Sequence, residues 1–182
     1  MFQTQLKTMQ LGQTGLEITR VGFGAWAIGG GGWEFGWGPQ DDDQSIAAIH
    51  RALEHGVNWI DTAAAYGFGR SEQIVGRALE GLAERPYVFT KCSLLEGPNR
   101  MVEHSLKRDS ILREADASPK RLRVEAIDID QIHWPIPAED IEEAGRRWRN
   151  SACPTRSCAR SAVASSGTGS PSAATATMFH GG

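Results

Sequence analysis

Four side chains in this sequence have the types and the spacing for proton chemistry: Asp61, Tyr66, Lys91 and His133. A carboxylate, a phenol, an amine and an imidazole can each hold or release a proton. Taken singly, each has a plainer reading. Asp61 could cap a helix or hydrogen-bond a loop, Lys91 and Tyr66 could simply be solvated, and His133 could be a packed loop residue before Trp134-Pro135. What joins them is position: Asp61, Lys91 and His133 each close a run that reads as a strand, and Tyr66 lies in the loop just after Asp61. In parallel α/β folds functional side chains gather at the carboxyl ends of strands, so all four are expected on one rim.

The elements that must deliver them follow from the pattern. Met9–Gly12 and Leu16–Thr19 flank Gln13-Thr14-Gly15 and read as a hairpin. Val21 to Trp26 reads as a strand, followed by a Gly- and Trp-rich loop through Pro39. Asp41 to Asp43 offer an N-cap, and Ile46, Ile49, Ala52 and Leu53 recur at helical spacing until Gly56. Val57–Asp61, Tyr87–Lys91 and Ala126–His133 are further strands. Helices are expected from Ser71 to about Gly81, from about Asn99 to Ala115, and from Ala138 onward. Pro119 would end or kink the preceding helix if interior. Alternating strands and helices imply a parallel sheet with right-handed crossovers. Pattern alone leaves a barrel and an open doubly wound sheet both standing, although the first strand–helix loop lacks a compact G-x-G-x-x-G.

The motifs carry a resemblance. Asp61-Thr62-Ala63-Ala64-Ala65-Tyr66-Gly67 with Gly69-Arg70-Ser71-Glu72, Val88-Phe89-Thr90-Lys91, and Ile127-Asp128-Ile129-Asp130-Gln131-Ile132-His133-Trp134-Pro135 resemble, in order, three strand-end signatures of the aldo-keto reductases. Val21 to Gly30 is similar to that family's first strand and loop, and the likeness covers roughly residues 8 to 145. The resemblance implies a partial TIM (β/α)8 barrel of about four βα units, preceded by a β-hairpin that plugs the bottom. It also implies NADPH-dependent reduction of an aldehyde or ketone, so NADP(H) is the expected cofactor and a small carbonyl compound the expected substrate. Tyr66 would be the general acid and Lys91 would lower its pKa from about 10. Asp61 would hold Lys91, and His133 would orient the carbonyl. Ala25, Trp26 and Asp61 would lie against the cofactor. Trp33, Phe35 and Trp37 either line an apolar substrate pocket or pack a surface loop. The Gly69 loop with Ser71 suggests an anion site, but a helix cap is the better expectation for Ser71.

The composition divides the chain. All 22 acidic residues fall in the first 150 positions. Ser, Ala, Thr and Gly fill 22 of the 32 positions from 151 to 182, where Val163, Met178 and Phe179 are the large apolar residues. Residues 1–150 are therefore expected to form the incomplete barrel. Residues 151–182 are expected to be a low-complexity, disordered tail, either naturally flexible or, as favoured here, translated out of frame from a GC-rich gene. A full barrel needs about 250 residues. The expectation is thus a reductase impaired by truncation, with an unpaired fourth-strand edge open to self-association. The alternative is a non-catalytic barrel fragment that binds another protein or its own kind through that open edge.

A net charge of −3 and the lack of a long apolar run argue against nucleic acid and membrane partners. Cys92, Cys153 and Cys158 are too few and too unevenly placed for a disulfide framework or a zinc site. The default location is the cytoplasm.

Overall fold

A computed structural model of the chain describes residues 6–142, together with Ala144, Arg160 and Ser161. The first hairpin pairs β1 (Thr8–Gln10) with β2 (Glu17–Thr19), antiparallel. After it come β3 (Phe23–Gly24), α1 (Asp42–Glu54), β4 (Trp59–Asp61), α2 (Arg70–Leu79) and β5 (Tyr87–Cys92). Asp41 caps α1 by accepting from Gln44 N at 2.8 Å, and Gly56, with φ +87°, lets the chain turn into the next strand. A second hairpin, β6 (Leu94–Glu96) with β7 (Val102–His104), precedes α3 (Arg108–Leu122) and β8 (Ile129–Ile132). A short 3-10 turn spans Ala138–Asp140, and β9 is Arg160–Ser161.

The strands β3-β4-β5-β8-β9 form one parallel sheet in chain order. Its two faces differ. On one, α1 and α2 pack Ile49, Ile74, Val75 and Ala78 against Ile60, Val88 and Ile127, joined by Leu122 from α3. On the other, the first hairpin packs Leu16 and Ile18 against Phe89 and Ile129, with Leu11, Trp59 and Tyr87 around them. Burying one such Leu or Ile stabilises by about 1.5–3 kcal/mol. The helices share one face, where a doubly wound sheet would carry them on both. That arrangement is the wall of a barrel seen in part, with the hairpin as its floor. Asn58 and Trp59 fix the floor: Thr19 N donates to Asn58 Oδ1 at 2.8 Å, and Trp59 Nε1 donates to Thr19 O at 2.9 Å.

Three expectations change. The helix expected from Asn99 to Ala115 is replaced by the β6–β7 hairpin, and the helix begins instead at Arg108. Gly97, Pro98 and two left-handed residues, Asn99 and Arg100 (φ 55° and 59°), reverse the chain and let two strands pair. Pro119 lies inside α3, which ends at Leu122 with Arg123 in the left-handed region (φ 56°). The missing N–H of Pro119 removes the bond to the Ala115 carbonyl, and the helix continues for only three more residues. The fourth strand, β8, is not a bare edge, because Ile129 and Asp130 pair with Arg160 and Ser161. Those two residues are therefore in a strand, and the rest of the tail expected to be disordered lies outside the described residues.

Candidate active site

Strand alternation places the site. Side chains of a strand point alternately to opposite faces. Ile60 and Val88 face the helices, so Trp59 and Asp61 on β4 and Phe89 and Lys91 on β5 face the inside of the wall. On β8 the same rule puts Ile129 and Gln131 inside, with His133 next in the series. Register then aligns Lys91 with Gln131 and Asp61 with Phe89. These side chains line one face of a 290 Å³ cavity bounded by Leu11, Ile18, Trp59, Asp61, Phe89, Lys91, Ile129 and Gln131.

At its polar end Lys91 Nζ donates to Asp61 Oδ2 at 2.7 Å, to Thr62 O at 2.8 Å and to Tyr66 Oη at 3.2 Å. Lys91 is 9% exposed, so this ammonium is satisfied by protein groups rather than water. Gln131 Nε2 donates to the other carboxylate oxygen, Asp61 Oδ1, at 3.3 Å. The His133 ring stands edge-on to Tyr66 with centroids 5.5 Å apart. All four expected residues therefore meet in one place. Gln131 and the Thr62 carbonyl were missed at the sequence level. Two-residue spacing back from His133 is the signal that marks Gln131.

Electrostatics at the site differ from the expectation in one respect. Burial pushes the Tyr66 phenol above its ordinary 10.0; Lys91 pulls it down, and Asp61 pushes it up. The expected lowering by Lys91 exists but is outweighed by desolvation. Burial, then Lys91 and His104, lower His133 to about 3, which keeps the imidazole neutral near pH 7. Its Nδ1 is buried without a hydrogen-bond partner.

Around this centre are rings from the loop after β3. Trp26, 44% exposed, stacks on Tyr66 at 6.3 Å, and Trp37 tilts against Trp26 at 5.5 Å. Trp33 is buried against Tyr66 and Phe68, and Phe35 meets Trp134 edge-on at 5.6 Å. Ala25, expected against the cofactor, has no exposed surface. Its N donates to Asp61 O at 2.8 Å and its O accepts from Ser71 Oγ at 2.8 Å, so it ties β3 to β4 and α2. Ser71 is not a cap either. Gly69 holds the N-cap position in the left-handed region, and Ser71 Oγ also bonds Thr62 Oγ1 at 2.9 Å. Among the described residues no cluster of His, Cys, Asp or Glu could hold a metal ion, and no helix is long and apolar enough to cross a membrane.

Known proteins resemble this chain in sequence and fold. A model of the aldo/keto reductase family matches residues 20–147. The aldo-keto reductase YhdN of Bacillus subtilis is 44% identical over 135 residues, which are 73% of this chain and 39% of that protein. The NADH-specific methylglyoxal reductase of Escherichia coli is 39% identical over 140 residues, 71% of this chain and 42% of that one. Among solved structures, the glycerol dehydrogenase of Gluconobacter oxydans superposes with a TM-score of 0.68 at 41% identity, covering 81% of this chain and 44% of that one. An aldo-keto reductase of Klebsiella pneumoniae in complex with NADPH gives 0.57 at 25% identity, covering 78% and 45%. The chain thus spans about two fifths of the length of the curated relatives it matches, and its sheet is part of a TIM barrel of the kind its solved neighbours have. With well over half its length matched and a strand order that brings the matched motifs together, the chain belongs to the aldo/keto reductase family.

Proposed function

We propose that this site reduces an aldehyde or ketone to the alcohol, with NADPH as the hydride donor and Tyr66 as the proton donor. The observation that carries the reading is the contact of one ammonium, Lys91 Nζ, with both the Asp61 carboxylate and the Tyr66 phenol oxygen, at 2.7 and 3.2 Å.

When bound, the nicotinamide would supply a hydride to the carbonyl carbon. The exposed face of Trp26 and the partly exposed Asp61, whose side chain is 30% accessible, suit the nicotinamide end. Support for NADPH comes from the family resemblance and from the Klebsiella complex, whereas the Escherichia coli relative is NADH-specific. The phosphate end finds no assigned partners among the described residues.

This chain's own groups do the rest. Tyr66 Oη accepts from Lys91, which leaves its O–H free to donate to the carbonyl oxygen as negative charge develops there. The proton leaves Tyr66 as the C=O electron pair moves onto oxygen, and the resulting phenolate faces the Lys91 ammonium. Asp61 and Thr62 O hold that ammonium in place. Neutral His133 can donate one N–H to the same carbonyl oxygen and so orient it.

Because the chain spans about two fifths of its relatives, turnover by the 182 residues alone is expected to be impaired. The test is therefore a chimera in which residues 6–142 replace the matching part of the Bacillus relative. A folded chimera should oxidise NADPH in the presence of a small aldehyde, and Tyr66→Phe should lower kcat by about 10²–10⁴-fold. A folded chimera with no turnover would favour the non-catalytic binding reading, and full activity in Tyr66→Phe would remove the phenol from the mechanism.

A further inference from the structure

Three loops distant in sequence meet above Tyr66. From the tip of the β6–β7 hairpin, Arg100 donates through Nε to Gly32 O at 2.8 Å and through one Nη to Gly67 O at 3.5 Å. Its other Nη pairs with Glu96 at 3.0 Å, and the guanidinium lies 5.2 Å from the Phe68 ring centroid. The contacts are returned by Glu34: its N donates to Arg100 O at 3.3 Å, and its carboxylate accepts from Val102 N at 2.7 Å. Beneath this exchange, Trp33, Ala63 and Tyr66 bury one another, with Phe35, Phe68 and Val102 packed around them. Each of the three loops contributes to that cluster.

Asn99 and Arg100 both sit in the left-handed region, with φ 55° and 59°, the pair of conformations that a type I′ hairpin turn uses, and Met101 N donates to Pro98 O across it at 3.1 Å. This local turn puts Arg100 at the hairpin tip, from which it reaches Gly32 and Gly67. A guanidinium suits the task because its fork serves three acceptors at once, which a lysine's point charge does not reproduce.

We infer that Arg100, with Glu34, is a positioning residue of the site: it clasps the Gly-rich loop to the β6–β7 hairpin, holding the Trp33 and Phe35 rings over Tyr66 and shaping the entrance for the carbonyl substrate. This rests on the reading of Tyr66 as the proton donor, but the clasp can be measured without turnover. The groups facing Tyr66 are Lys91, Asp61 and the His133 ring, and none is altered by changing Arg100.

The experiment is hydrogen–deuterium exchange combined with phenol titration on the full chain. The sequence has two tyrosines, so Tyr66 is read alone in a Tyr87→Phe background. Arg100→Ala should raise amide exchange over residues 30–36 by about tenfold or more while α1 and α2 keep their protection. Tyr66, losing its cover, should then titrate closer to its ordinary value. Arg100→Lys should behave like Arg100→Ala, whereas Glu34→Gln, which keeps an acceptor for Val102 N, should stay near the parent. Arg51→Ala, removing an exposed arginine of α1, should change neither readout. Unchanged exchange at 30–36, an even rise through α1 and α2, rescue by lysine, or a Tyr66 titration that does not move would each overturn the proposal. Failure of the proton-donor reading would show separately, as turnover surviving Tyr66→Phe in the chimera.

Discussion

Tyr66 keeps its proton because burial outweighs the ammonium beside it. For a general acid this is useful: the neutral form is populated throughout the ordinary pH range, and Lys91 acts on the phenolate only as it forms. The site depends as much on what has no side chain. A Cβ on Gly29 would stand 2.8 Å from both Gly67 N and Tyr66 C, and neither backbone atom can swing aside. Gly29→Ala should therefore destabilise the chain by about 1–3 kcal/mol in urea denaturation. Gly24→Ala, where a Cβ meets nothing within 4 Å, should change stability little. Asp61, Tyr66, Lys91 and His133 were legible in the sequence because strand ends announce themselves by alternation and length. The burial of Ala25 was not legible, because it involves Ser71 of α2, a contact made across 46 residues that no local pattern reveals. Arg100 was invisible for the same reason, since its acceptors belong to loops 33 and 68 residues away.

Elements with strong periodicity were read correctly, and the failure came where two kinds of signal competed. The stretch from Asn99 to Ala115 holds enough apolar residues to suggest a helix, but Gly97-Pro98 and the left-handed pair after it favour a reversal, and pairing of Leu94–Glu96 with Val102–His104 satisfies the backbone. The displaced helix α3 brings Glu114 beneath the sheet, where it accepts from Ser93 N at 3.0 Å and from Ser110 Oγ at 3.3 Å. Burial chiefly lifts Glu114 to about 8, and burial with the charge of Glu72 lifts Asp130 on β8 to about 7. The folded state thus keeps protons that the unfolded chain releases near pH 4. The stability linked to these protons is full below about pH 4 and is lost as pH rises through 7 and 8. His133 acts with the opposite sign, but only between about 3 and its ordinary 6.5. Melting temperature should accordingly fall from about pH 6.5 to 8.5. Glu114→Gln, which keeps an acceptor for Ser93 N, should flatten that fall; an equally steep fall in the variant would show that Glu114 is not the group responsible.

At the scale of the molecule, helices on one face and a hairpin floor on the other decide between the two sheet architectures that the pattern left open. That choice was not legible locally, because it is made by which face the hairpin covers. The change of composition after residue 150 was legible, while the pairing of Arg160 and Ser161 with β8 was not, since two residues of backbone pairing leave no pattern in side chains. What the architecture achieves is convergence: β4, its following loop, β5 and β8 each send one group to the same mouth. The direct check is the titration of the Tyr66 phenol, read by its absorbance or ring resonance in a Tyr87→Phe background, with and without Lys91→Met. If the groups share one electrostatic environment, Tyr66 titrates above 10.0 in the parent and higher still when the ammonium is removed. A Tyr66 that titrates at its ordinary value, or that is indifferent to Lys91→Met, would mean that these residues do not meet.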